Sequence, residues 1–98
     1  MINNAAQNEA LAPTVESQIR ARLAILAPIE LEIGDDSHAH AGHAGAKERG
    51  GGHFELMISS AQFIGKPLVA RHRLIYAALG DLMQREIHAL KIDARTPN

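Results

Sequence analysis

Apolar residues in this chain change their spacing from one segment to the next, and the order of those changes restricts the fold more than any other feature. Pro13-Thr14 is a helix start with Thr14 as N-cap. Val15, Ile19, Leu23 and Leu26 then recur at spacings of three or four, which predicts an amphipathic helix over 14–27 that Pro28 ends. Ile29, Leu31 and Ile33 alternate with Glu30, Glu32 and Gly34, the period of a half-buried strand over 29–35. From Ser37 to Gly52 the chain holds Gly, Ala, His and charge with no large apolar residue, so it reads as a long loop. Loops of that kind are usually functional or disordered, and the run of glycines makes 38–52 the most mobile part expected. Phe54 to Ser60 predicts a second strand and Phe63 to Lys66 a turn. Pro67 suits a first helical turn. Leu68, His72, Ile75, Leu79 and Leu82 continue as a helical stripe over 67–85, which Gly80 can split. Leu90, Ile92 and Ala94 close the pattern as a third strand over 89–95.

The order is α-β-β-α-(α)-β, an α+β chain with a three-stranded mixed sheet. At 98 residues it makes one domain, 13–98, behind a loose leader, 1–12. Strands one and two, joined without a helix, pair antiparallel. The helical crossover from strand two to strand three makes that pair parallel and right-handed. The starts of strands two and three then share one end of the sheet, about 5 Å apart across a ladder step. His53 begins one and His88 the other, and the loop carrying His38, His40 and His43 enters at the same end. Five imidazoles are thereby expected on one rim.

Composition narrows what that rim can do. There is no cysteine, so a disulfide framework and a thiolate nucleophile are excluded, and a soft metal must be held by imidazole here and by thiolate from elsewhere. The formal net charge of -1 supplies no overall field toward phosphate or anionic lipid. No apolar run is long enough to span a membrane, and 1–12 lacks the basic start and apolar run of a signal peptide, so no membrane partner and a cytoplasmic location are expected. The serines have no recognisable triad setting, which points to a binding and assembly module and not to an enzyme.

Leu31-Glu32-Ile33, Asp35-Asp36-Ser37, His53-Phe54, Phe63-Ile64-Gly65, Arg71-His72-Arg73-Leu74-Ile75-Tyr76 and Ile87-His88-Ala89-Leu90 stand in an order and at spacings that resemble the BolA-like family over about residues 14–97. The resemblance implies a type II KH-like fold and a role in iron–sulfur cluster trafficking and iron regulation. It also implies a monothiol glutaredoxin as partner, with a two-iron two-sulfur cluster bridged between the two proteins and glutathione, and no cofactor on the isolated chain. Carried onto this sequence, the ligand before the third strand is His88. The loop ligand falls on His40, with His53 as close competitor and His38 and His43 as additional candidates; having His and no Cys, the chain resembles the histidine-loop branch.

Other readings compete. A His-rich tract is by itself only a compositional hint of metal binding, and zinc or nickel would suit the same imidazoles. Lys66, Arg71 and Arg73 form a short basic patch for a protein partner or a nucleic acid. The alternative function is therefore a DNA-binding transcriptional regulator. Gly65-Lys66-Pro67-Leu68 stands where nucleic-acid-binding KH domains carry GXXG, but lacks the second glycine. Because imidazole binds metal only when neutral, a bound cluster should be lost below about pH 6.

Overall fold

A computed structural model describes residues 13–36 and 52–97. The leader 1–12 and most of the expected loop, 37–51, with His38, His40 and His43, lie outside the described residues. Helix α1 spans Val15–Leu23. The Thr14 hydroxyl accepts from the Ser17 amide at 3.0 Å, satisfying one of the donors that a helix start leaves unpaired. Ile19 and Leu23 are buried. The last expected turn is instead a 3-10 turn, Ala24–Leu26, because Pro28 disfavours right-handed helix at the residue before it and Ala27 turns left-handed at φ 49°.

Strand β1 is Glu30–Asp35, β2 is His53–Ser59 and β3 is Ala89–Arg95. Sheet order is β1-β2-β3, with β1 antiparallel and β3 parallel to the central β2. The predicted crossover is present, and Ile29, expected inside the first strand, is exposed just ahead of it. On β2 Phe54, Leu56 and Ile58 are buried and Glu55 is exposed, while Met57 is half-buried and Ser59 at the strand's end is buried.

Pro67 precedes α2, Leu68–Leu79, and Gly80 at φ 56° separates it from the short α3, Leu82–Arg85. Glycine is suited to that left-handed break, and the split that Gly80 allows in the helical stripe is present. Leu68, expected on the core stripe, is 60% exposed, because the first turn of α2 leaves it outside the core that Ile75 and Leu79 enter. Those residues, with Leu82, Phe63 and the α1 stripe, pack on the apolar face of the sheet.

Two tertiary anchors hold the helices. Arg22 of α1 donates to the Leu79 carbonyl at 2.7 Å and to Asp81 at 3.0 Å, closing the C-terminus of α2. The Arg22 hydrogen bond, with Arg85 nearby, holds the Asp81 carboxyl below the ordinary carboxylate range. At the far end, buried Ser60 donates from its hydroxyl to the Leu26 carbonyl at 2.7 Å and accepts from the Gln62 amide.

Candidate functional site: a histidine pair on the sheet rim

β2 begins at His53 and β3 at Ala89, and the two residues are partners in the parallel ladder. One step earlier the Gly52 carbonyl accepts from the amides of both His88 and Ala89, at 2.8 and 3.0 Å. Ile87, buried beneath them, donates its amide to the Leu82 carbonyl and so ties the approach to β3 to α3. On the other side the Asp36 amide donates to the His53 carbonyl at 2.6 Å, extending the β1 ladder to this rim. Backbone hydrogen bonds thus place both histidines.

The imidazole rings of His53 and His88 have centroids 5.2 Å apart, tilted 50° to one another. His88 is exposed and His53 half-buried. Beside them lies a shallow depression lined by Asp36, His53, Glu55, Ala89 and Lys91 among others. An imidazole nitrogen ligates at about 2.0–2.1 Å, so two rings that meet at one ion have centroids about 5 Å apart. The observed 5.2 Å is of that order, and also within the ordinary range of two tilted rings in contact. Among the described residues, no group of three or more His, Cys, Asp or Glu is placed to hold a metal ion.

Of the residues singled out in the sequence, His53 and His88 are therefore brought together, whereas His38, His40 and His43 lie outside the described residues. The basic residues sit elsewhere. Arg71 donates from Nε to the Lys66 carbonyl at 2.8 Å and from Nη1 to the Ala94 carbonyl at 3.0 Å. Because His88 precedes the start of β3 and Ala94 is near its end, the patch begins at the opposite end of the sheet from the histidines. Arg73 is exposed on α2, and His72 is half-buried on that helix, as its place on the stripe suggested. Sequence reasoning missed the Gly52 carbonyl, which no side-chain pattern reveals. It also missed Lys91, whose pairing with Glu55 two rungs along from His53 is legible once the register is known.

A central β2, a crossover of two helices and a histidine at or just before the start of each parallel strand define a small α+β domain. This chain belongs to the BolA-like protein family, whose pattern matches residues 23–98. It is similar to SufE-like protein 1 of Arabidopsis thaliana, 50% identical over 76 residues that cover 74% of this chain and 20% of that one. It is also similar to a protein of Escherichia coli called DNA-binding transcriptional regulator BolA, 32% identical over 82 residues, covering 84% of this chain and 71% of that one. Among solved structures, BolA1 from Arabidopsis thaliana superposes with a TM-score of 0.71 at 37% identity, covering 88% of this chain and 95% of that one. The chain spans from a fifth to about two thirds of the length of the first curated relatives it matches.

Proposed function

We propose that this chain is a non-enzymatic accessory protein of iron–sulfur cluster assembly, trafficking and iron regulation, which binds a monothiol glutaredoxin and shares a two-iron two-sulfur cluster with it. The observation that carries the reading is the His53–His88 pair, two solvent-accessible imidazoles at ligating separation on one rim. His88 supplies one nitrogen. The second comes from His53 or from a loop histidine, His40 first among them, while thiolates of glutaredoxin and glutathione complete the set. Imidazole ligation raises the cluster's reduction potential and lowers its negative charge relative to an all-thiolate site. The chain's own part is to present two imidazoles from backbone that the strand ladder holds in place.

The test is to mix the chain anaerobically with a monothiol glutaredoxin, glutathione, iron and sulfide, and to follow the visible spectrum and the mass of the complex. A heterodimer with a spectrum distinct from that of glutaredoxin alone is expected. Zinc or nickel uptake without glutaredoxin would favour a plain metal carrier. The name of the Escherichia coli relative supports a second reading, DNA binding through the surface around Lys66 and Arg73. Salt separates the two: phosphate contacts weaken steeply as salt rises, and cluster bridging does not.

A further inference from the structure

Helix α2 is apolar on both sides, and only one side is covered. Ile75 and Leu79 are buried in the core. Leu68, on the Ile75 side, is exposed at the first turn, and the opposite side presents Val69, Arg73, Tyr76 and Ala77 to solvent, a stripe at helical spacing in which Arg73 is the one charged residue. Leu68 is 60%, Val69 58% and Tyr76 42% exposed. A surface helix ordinarily turns polar residues outward, and a helix that is apolar all round is ordinarily buried all round. An exposed apolar stripe of this kind marks an interaction surface.

We propose that the outer face of α2 is a docking surface for an acidic amphipathic helix of a partner protein. Charge selects the occupant: no Asp or Glu occurs from Ala61 to Gly80, while Lys66, Arg71, His72 and Arg73 do. Arg71 is tied to two backbone carbonyls, so Lys66 and Arg73 are the exposed cations of this segment. Two cations with the exposed apolar side chains Val69 and Tyr76 match a helix that carries leucines on one face and carboxylates on its flanks. They match a phosphate backbone or an anionic membrane less well, since each takes a cluster of several cations. Ala77 and Gly80, small and exposed in line with Arg73 and Tyr76, let a partner helix approach closely. The inference does not rest on the cluster reading, since the surface uses neither His53 nor His88.

The experiment titrates the isotope-labelled full chain with a helical peptide of leucine and glutamate about four turns long, and with a twin in which lysine replaces glutamate. Amide shifts are expected at Val69, Arg73, Tyr76 and Ala77, and not at His53 or His88. The glutamate peptide should bind at least about tenfold more tightly than its lysine twin. Val69→Glu and Arg73→Glu, at exposed positions that leave the core intact, should each weaken it about tenfold while preserving the dispersion of the spectrum. Equal affinity for the two peptides, shifts confined to another surface, or no binding of either overturns the proposal. So does saturation of the α2 face by duplex DNA or by phosphatidylglycerol vesicles that the acidic peptide cannot displace.

Discussion

The two ends of the sheet use polar residues in opposite ways. At the end where β2 finishes, polar side chains are spent on the fold: Ser60 donates to Leu26, and Arg71 reaches the Lys66 and Ala94 carbonyls. At the end where β2 and β3 begin, the backbone does that work through Gly52, His88, Ala89 and Asp36, with the His88 ring exposed and the His53 ring half-buried. The first end is held by side chains and the second by the backbone ladder. A polar side chain is a functional candidate when the fold holds without it.

Removing a side chain from each end tests that contrast directly. His88→Ala should abolish the shared cluster in the glutaredoxin mixture, read from visible absorbance and circular dichroism, and leave thermal stability within about 0.5 kcal/mol of the parent. His53→Ala should weaken the cluster strongly. If it does not, the second ligand is a loop histidine, and His40→Ala becomes the decisive variant. A normal cluster spectrum in His88→Ala would sink the ligand assignment. Single changes at His38, His40 or His43 should be milder, because several imidazoles on one loop can substitute for one another. Ser60→Ala should do the reverse, costing about 1–3 kcal/mol by stranding the Leu26 carbonyl and the Gln62 amide. Urea unfolding measures that loss, while cluster formation by the folded fraction should be unchanged.

Arg71→Ala is the next step down, at about 1–2 kcal/mol for two hydrogen bonds from a charged donor that leave partly solvated carbonyls behind. If the Arg71 guanidinium serves the fold, its loss should lower the denaturant midpoint without changing affinity for glutaredoxin or for DNA. A variant of parental stability with weakened DNA binding would instead place Arg71 among the recognition residues.

Much of this contrast is legible in the sequence, and the illegible part has a physical reason. Periodicity places every strand within a residue or so, because one face of the sheet is buried and a half-buried strand must alternate. It also puts His53 and His88 at one end, because a helical crossover between neighbouring strands leaves few choices. It misplaces Leu68 and Ile29, since an apolar residue at the edge of a pattern is indistinguishable from one inside it. The roles of Arg22, Ser60 and Arg71 are invisible, because their partners are backbone carbonyls 57, 34 and 23 residues away in the chain. Side-chain spacing carries no information about such bonds.

The smallest expected effect concerns how the histidine end is braced. Arg22 joins α1 to the Leu79 carbonyl and to Asp81, and α3 leads from Asp81 through Ile87 to His88. The carboxyl of Asp81 is held low, first by its hydrogen bond from Arg22 and then by Arg85. A folded-state value below the unfolded one means that ionised Asp81 stabilises the fold at pH values above the ordinary carboxylate range. That contribution is lost as pH falls through the lowered folded-state value. Acid should therefore loosen the Gly80–His88 segment while neutral pH leaves it closed, visible as faster amide exchange there than at Ser60 and Ala94. Asp81→Asn should remove the acid dependence of this segment and leave the far end unaffected. Arg22→Ala should reduce that dependence without removing it, since Arg85 still faces Asp81, and in addition cost about 1 kcal/mol through the Leu79 carbonyl, a few degrees in Tm. Equal acid sensitivity at the two ends in the parent chain would show that the ion pair does not brace the histidines selectively. The rim would then owe its geometry to the strand ladder alone.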